Sequence, residues 1–450
     1  MKILLVNPLE NQSKRTPVYP SMGLLLIGTL LKRHGHDVLL RHFFPGTFVE
    51  PQFAELLNRF RPEMVGITMN TFQVSWGRII SECVKDTLPG VPIVAGGPHP
   101  TTLKTDFFNY FEAVDYIVVG DGEFPMLELA SGKAPAGIAG IATRESWNSQ
   151  PLRKDLDYIP PPDLGIMEDI NLFSTAPPPG PLPSMCTAGS RGCPFRCNFC
   201  SESVVAKVVR YRSPENILKE LDYLAGEGIR DILFTDDTFN LNKKWAMSVL
   251  QAIIDSGLNK RLSFRVSFRA NKKLADSEIL KKAREAGVWI VFYGVESGNQ
   301  QMLRHIGKKL TVEEIVRAFD LTHKEKLKTV AAFMFGNVGD SVETMRDSLR
   351  FVRRLRAFHV GFSMAVPLPG TEFMEEIIRK GHLLETDYEK YDTMNCIVRT
   401  DSLTREQIMK LYSRATLYVA LMQMFFGPNR IGGFKEFIRR LKRKINSVLR

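Results

Sequence analysis

The chain predicts an α/β protein: a doubly wound parallel-sheet domain, a second strand–helix array behind it, and helices at the C-terminal end. Three features predict this. Short apolar runs alternate with helical stretches from residue 1 to about 132, and again from about 182 to 375. Those runs are apolar at consecutive positions, the pattern of parallel strands covered on both faces by helices. Between the arrays lie Ile159-Pro160-Pro161-Pro162 and Ala176-Pro177-Pro178-Pro179-Gly180-Pro181, where proline blocks helix and sheet and leaves extended chain. The domains are accordingly 1–135, a proline-rich connector 136–181, 182–375 and a helical region 376–450. At 450 residues the chain can bury more than one substantial core.

In the first array, strands are expected at Lys2–Asn7, Asp37–His42, Met64–Met69, Val91–Gly96 and Tyr116–Gly120, with helices near Ser21–His34, Gln52–Arg61 and Val74–Leu88. Ligands of such sheets bind beyond the carboxyl ends of the strands. Those ends carry Thr68-Met69-Asn70, Gly96-Gly97-Pro98-His99 and Gly120-Asp121-Gly122-Glu123. Glycine there lets backbone approach a bulky ligand, although glycine turns also simply end strands. In the second array, strands are expected at Ser184–Ala188, Asp231–Thr235, Leu262–Ser267, Trp289–Val295, Thr329–Phe335 and Val360–Val366. Helices follow at Pro214–Gly226, Lys243–Ser256, Asp276–Ala286, Val312–His323 and Ser341–Arg354, and Arg405 to about Phe425 reads as a last long helix.

Composition is that of a globular protein, 44% apolar and 24% charged. The start, Met1 to Pro8, reads as a first strand rather than a signal peptide, and no apolar run reaches the length of about 20 residues that a spanning helix needs. A reducing cytoplasm is the expected compartment. Of the formal charge of +11, +7 falls in residues 426–450, where eight Lys/Arg meet Glu436 alone. The charge therefore belongs to a tail and not to a nucleic-acid-binding body. There Phe434, Phe437, Ile438, Leu441, Ile445 and Val448 share one helical face, with Lys435, Arg439, Lys442 and Arg443 largely opposite. That pattern suits contact with the inner face of a membrane, or equally a helix packed on the body with a solvated basic face.

The most informative stretch is Arg191-Gly192-Cys193-Pro194-Phe195-Arg196-Cys197-Asn198-Phe199-Cys200. Three thiols separated by three and then two residues can hold an iron–sulfur cube and leave one iron without a protein ligand. Zinc is the competing reading, with Cys186 as a fourth ligand, but structural zinc sites usually use two spaced pairs and only one close pair is present. A disulfide framework does not suit a long chain with six cysteines and no signal peptide. Cys83 and Cys396 read as small packing residues.

This decapeptide resembles the signature of radical S-adenosylmethionine (SAM) enzymes. The resemblance implies a partial (β/α)6 barrel for the second array, with Cys193, Cys197 and Cys200 on a 4Fe–4S cluster whose open iron chelates SAM and splits it to a 5′-deoxyadenosyl radical. It also implies SAM contacts. These are the Phe199 backbone, Asp236 in Thr235-Asp236-Asp237-Thr238 near the amino group, and Arg269 on a carboxylate. Glu296 in Gly294-Val295-Glu296-Ser297-Gly298 would face the ribose, and Gly336 would lie in Gly336-Asn337-Val338-Gly339-Asp340. Each has a plainer alternative. Asp236 can be a helix cap, and Arg269 an exposed charge like Arg265. A buried carboxylate with no ligand partner is costly, which favours the functional reading of Glu296. In the Gly336 loop, Val338 and Asp340 replace the usual proline and glutamate, so the turn rests on Gly336 and Gly339.

The first domain is similar to the Rossmann-like cobalamin-binding domain that precedes many such barrels, through Pro20-Ser21-Met22-Gly23, Gly97-Pro98-His99-Pro100-Thr101 and Val119-Gly120-Asp121-Gly122-Glu123. The resemblance implies cobalamin against Thr68, Gly97, His99, Gly120, Gly122 and Glu123. The Asp-x-His-x-x-Gly motif that gives cobalt an axial histidine elsewhere is absent; members of the radical family also lack it. The expected activity is cobalamin-dependent methylation of an unactivated carbon in a lipid or secondary metabolite. Radical cyclisation or rearrangement is the alternative within the family, and a zinc-stabilised nucleic-acid-binding protein the alternative outside it. Expected partners are the small-molecule substrate and a flavodoxin- or ferredoxin-type electron donor, with no nucleic acid.

Overall fold

Among the described residues of the computed structural model, twelve of fourteen strands belong to two six-stranded sheets. The structure describes residues 1–8, 19–43, 47–168 and 183–425, together with Ile438. The basic tail therefore lies outside the described residues.

In the first sheet β1 (Lys2–Asn7), β2 (Asp37–His42), β3 (Met64–Thr68), β4 (Ile93–Gly96) and β5 (Tyr116–Val118) run parallel. A short antiparallel β6 (Ile141–Ala142) closes the edge, and the order is β2-β1-β3-β4-β5-β6. Helices Met22–Arg33, Glu50–Phe60 and Val74–Thr87 cover the faces as their apolar stripes require. Two short helices escaped the periodicity. Pro98–Leu103 and Glu123–Ala130 start directly at strand-end glycines and are too brief for a 3.6-residue pattern to declare itself.

Gly97 shows why glycine stands at one of these junctions. Its φ is +100°, and a Cβ there would lie 2.7 Å from the Met69 carbonyl oxygen. Only glycine makes this turn without displacing the neighbouring strand end.

Residues 136–168 do not run as a free extended spacer. They supply β6, pack Leu156 and Ile159 against Leu26, and bury Leu164 and Ile166 under helix Met22–Arg33. One apolar cluster runs from Ile3, Leu5 and Leu25 through Leu164 and Ile166 to Ile217 and Leu221. The connector thus fills the seam between the two arrays.

After the hairpin of β8 (Ser190–Arg191) with β9 (Arg210–Tyr211), the second array continues as a single parallel sheet. Its strands are β7 (Ser184–Thr187), β10 (Asp231–Phe234), β11 (Ser263–Phe268), β12 (Val288–Glu296), β13 (Lys328–Phe335) and β14 (His359–Met364). The order is β14-β13-β12-β11-β10-β7. With β7 and β14 at opposite edges, the array is an open, partial barrel. Helices Pro214–Gly226, Lys243–Asp255, Ser277–Glu285, Val312–Lys324 and Val342–Leu355 fall between the strands, and Arg405–Phe425 packs against β14. Among the described residues no helix is long and apolar enough to cross a membrane.

Candidate active site

The carboxyl ends of the second sheet enclose a cavity of about 290 Å³, lined among others by Asp237, Ser267, Arg269, Tyr293, Glu296 and Lys308. Glu296 reaches it through a slip in register between Gly294 and Glu296 where β12 pairs with β13. A bulge of this kind re-aims a side chain, and here Glu296 takes φ +62°, a conformation that costs a non-glycine residue about 1–3 kcal/mol. The cost of burying this carboxylate is offset within the protein itself. It accepts a 2.8 Å hydrogen bond from Lys308 Nζ, and both side chains are mostly buried.

Arg269 also lines the cavity, with its guanidinium 3.6 Å from the Phe195 ring centroid and a hydrogen bond donated to the Lys308 carbonyl oxygen. It is buried, so the exposed-charge alternative fails for it. The same alternative fails for Arg265, which is 2% exposed, pairs with Asp231 at 2.5 Å and donates to Ser184 Oγ at 2.6 Å.

Asp236 and Asp237 diverge. Asp237 is on the cavity wall, but Asp236 is buried and faces away from it. The Asp236 Oδ2 accepts from Gly189 N at 3.0 Å and Oδ1 from Ser190 Oγ at 2.5 Å, and burial pushes its carboxyl up to about 6. Asp236 therefore braces the strand pair that leads into the cysteine loop, and the expectation of a SAM-facing carboxylate passes to its neighbour. Gly336 does not line the cavity. Its amide, at φ +91°, donates to Asp340 Oδ2 at 2.9 Å, as does Asn337 N at 3.1 Å. Asp340 thus turns the loop with the shorter acid, and burial holds its carboxyl up at about 6.

The cysteine loop follows β8 and is tied down on three sides. Cys193 N donates to the Ala206 carbonyl at 2.9 Å, Asn198 N to Ile306 at 3.1 Å, and Phe373 N to the Asn198 carbonyl at 3.0 Å. The Phe199 ring packs into both the barrel core and the C-terminal cluster. All three thiols are free, and burial raises those of Cys193 and Cys200, the latter to about 11. Among the described residues no three Cys, His, Asp or Glu side chains gather closely enough for one ion. Cys186 is fully buried on β7 with its thiol directed at the Pro20 carbonyl, 3.7 Å away, so it acts as packing. An all-thiol donor set in one loop fits an iron–sulfur cluster.

A second cavity, about 280 Å³, opens at the carboxyl ends of the first sheet. Thr68, Gly97, Gly120, Gly122 and Glu123 line it, as expected, and Ala188 and Arg191 reach it from the second array. Its wall is largely glycine and aliphatic; a Cβ at Gly122 would come within 2.7 Å of Ile27 Cδ1, which lines the same space. That cradle fits a large ligand lying against backbone, as cobalamin would. His99 is the exception. It is buried away from the cavity, bonded through Nδ1 to Thr71 Oγ1 at 3.1 Å and held edge-on by Phe107 and Tyr388. Burial lowers its pKa to about 4, so it is a neutral core histidine.

The sequence did not single out Asp237, Lys308 or Arg191. Lys308 follows a short helix beside the exposed Lys309, and nothing local distinguishes the buried lysine from its neighbour.

Comparison with known proteins agrees with both halves. The radical SAM superfamily matches residues 188–352, and the B12 binding domain matches residues 13–130. An uncharacterized methyltransferase of Pyrococcus horikoshii is 31% identical over 92% of this chain and 91% of its own length. An anaerobic magnesium-protoporphyrin IX monomethyl ester cyclase of Rubrivivax gelatinosus is 24% identical over 98% of this chain and 82% of its own. Among solved structures, the radical SAM methyltransferase TsrM of Kitasatospora setae, with cobalamin and a 4Fe–4S cluster bound, shares the fold. It has a TM-score of 0.70 at 22% identity, covering 84% of this chain and 75% of that one. The two family matches and the 31% identical relative agree with the fold, and the chain belongs to the radical SAM superfamily, in the group that carries a B12-binding domain ahead of the barrel.

Proposed function

We propose that the chain methylates an unactivated carbon of a small molecule, with 4Fe–4S cluster and SAM on the barrel side and cobalamin in the first cavity. One observation carries this reading. The loop of Cys193, Cys197 and Cys200 has a cavity on each side: Arg191, two residues before Cys193, lines the first, and Phe195 stacks on Arg269, which lines the second. Methylation is favoured over cyclisation by the higher identity to the Pyrococcus horikoshii methyltransferase, 31% against 24% for the cyclase.

Cys193, Cys197 and Cys200 would hold the cluster, and Thr68, Gly97, Gly120 and Gly122 would lie against cobalamin. When bound, these groups supply reductive cleavage of SAM, hydrogen abstraction and the transferable methyl group, which no side chain can provide. The protein binds and orients. Arg269 offers a guanidinium toward a carboxylate in the barrel cavity, Asp237 an acceptor for an ammonium group, and Glu296 an acceptor for hydroxyls, held in place by Lys308. The wall sets these charged groups among Phe268, Phe292, Tyr293, Val330 and Ala332, so polar and apolar parts of a ligand each meet a matching surface.

The substrate reading of a lipid or secondary metabolite rests on the amphipathic basic pattern of the tail, which would also bring the enzyme to the inner face of a membrane. A low-potential one-electron donor of flavodoxin or ferredoxin type, in a reducing cytoplasm, suits a cluster with an open iron. The test is anaerobic purification with metal analysis. Brown protein with about four irons per chain that binds cobalamin, and that forms 5′-deoxyadenosine from SAM and reductant, supports the reading. Transfer of label from methyl-labelled SAM into a substrate carbon separates methylation from cyclisation. Colourless zinc protein would refute it.

A further inference from the structure

The search of the molecule outside the two cavities leads to the contact between them. Arg191 and Arg210 sit directly opposite each other in the β8–β9 hairpin. Like charges in that arrangement destabilise a two-stranded ribbon, so the hairpin is not self-sufficient. Its counter-charges come from the other domain. Arg191 bonds Asp121 at 3.1 Å and also Glu123, while Arg210 bonds Asp121 at 2.5 Å. Both acids belong to the Gly120–Glu123 turn on the wall of the first cavity, and Arg191 lines that cavity with them. Glu123 is 4% exposed, yet its Oε2 has no hydrogen-bond partner, and neither does the buried Tyr158 hydroxyl, whose pKa is raised by burial first and by the Glu123 carboxylate second.

The hairpin is also stiffly joined to the first ligand cysteine. A Cβ at Gly192 would lie 2.5 Å from the Val208 carbonyl oxygen and 2.8 Å from that of Ala206, and Cys193 N bonds Ala206 O at 2.9 Å. The chain between Arg191 and Cys193 is thus closely packed against residues 206–208.

We propose that Arg191 is a positioning residue that ties the cysteine loop to the acidic turn of the first cavity, so that a ligand seated in that cavity fixes the loop of Cys193. The proposal rests on the cobalamin reading above. A ligand that orders Gly120–Glu123 orders Asp121 and Glu123, these hold the two arginines, and the arginines hold the hairpin from which the loop springs. Coupling between two bound cofactors is reciprocal and typically about 5- to 150-fold in equilibrium terms.

Hydrogen–deuterium exchange on the full, cluster-reconstituted chain, with and without hydroxocobalamin, tests this. Amides in residues 188–200 should exchange about fivefold or more slowly when cobalamin is bound. In Arg191→Met, with hydroxocobalamin added until visible absorption shows the site filled, that difference should fall by at least half, Arg210 still holding Asp121, while iron content persists. Arg191→Lys keeps the charge but cannot bridge both acids, and should restore only part of the difference. Wild-type protein that binds cobalamin with unchanged exchange in the loop overturns the link, and so does full protection in Arg191→Met. If Arg191→Met does not fold, the wild-type and Arg191→Lys arms still decide, full protection in Arg191→Lys counting against the link. Wild-type protein that retains no cobalamin overturns the cofactor reading, and the link falls with it.

Discussion

Asp236 and Asp237 are adjacent acids that should fail in opposite ways. Asp236→Ala removes the acceptor of two buried donors, Gly189 N–H and Ser190 O–H. Each stranded donor costs about 1–3 kcal/mol. Against this, burial holds the Asp236 carboxyl at about 6, so the folded state carries its charge at pH 7 at a cost approaching 3 kcal/mol relative to the unfolded chain. The two contributions largely cancel, and the variant should lose at most about 3 kcal/mol at pH 7. The pH dependence has a definite sign. A carboxyl raised in the fold contributes stability that is complete below its unfolded pKa and is lost as pH rises through the folded value. Wild type therefore gains from Asp236 at pH 5 relative to pH 7, and the penalty of Asp236→Ala should be about 1 kcal/mol larger at pH 5. Asp237→Asn, on the cavity wall with no buried donor depending on its carboxylate, should leave stability within about 0.5 kcal/mol and weaken SAM binding. Urea unfolding at the two pH values, with SAM titration calorimetry at pH 7, measures both. Loss of stability confined to Asp237→Asn, or SAM affinity lost with Asp236→Ala at unchanged stability, would refute the assignment.

Other consequences follow from individual contacts. His42 and His99 are buried with pKa values lowered to about 4, and His42 Nε2 accepts the Ser21 amide at 2.8 Å. Both are neutral in the fold, so their contribution is complete above about 6.5 and lost as pH falls toward 4, by about 3 kcal/mol each. The double variant His42→Gln, His99→Gln should flatten the stability profile between those pH values. Lys308→Met leaves Glu296 buried without its cation and should weaken SAM binding about tenfold or more by calorimetry, while Lys309→Met, on an exposed neighbour, should not. Gly122→Val presses against the flexible end of Ile27 and occupies the first cavity; cobalamin retention should fall while the melting temperature moves by only a few degrees. Arg212→Met breaks an ion pair with Glu220 at 2.6 Å in which both side chains are almost fully buried, and should cost about 3–5 kcal/mol in chemical unfolding.

Sequence periodicity located the long elements well because each is specified by its own residues. Lys2–Asn7, Asp37–His42 and Pro214–Gly226 fall where the alternation of apolar runs and helical stretches predicts them. The same reasoning could not tell Asp236 from Asp237, because at a strand end the direction of a side chain depends on where the chain leaves the sheet. Nor could it separate Arg265, which neutralises Asp231 inside the barrel, from Arg269, four residues on and facing the cavity. His99 looked like a ligand because its loop faces one; the turn at Gly97 buries it instead. Glu296 and Lys308 lie twelve positions apart and meet only because the β12 bulge brings them together. The connector misled for another reason. Proline excludes regular structure, but it does not prevent Leu156, Ile159, Leu164 and Ile166 from being buried.

The contacts no local pattern could announce are also those that relate the two halves. Asp121 and Arg191 are seventy residues apart, and each reads alone as a surface charge beside a glycine. Together they join the strand that precedes Cys193 to the wall of the neighbouring domain's cavity. Ile306-Gly307-Lys308 does the equivalent on the barrel side. Its Ile306 carbonyl accepts Asn198 N, its Lys308 carbonyl accepts Arg269, and its Lys308 ammonium holds Glu296. The cysteine loop is therefore anchored at each end to the machinery of a different cavity. A shift of either cavity's wall must move the loop or break one of these bonds, because the glycines that flank it, Gly192 and Gly307, are each packed within 2.6 Å, measured from an added Cβ, of a backbone carbonyl oxygen. Chemistry that needs two cofactors to address one substrate carbon requires such a shared mount, and a barrel acting alone would not.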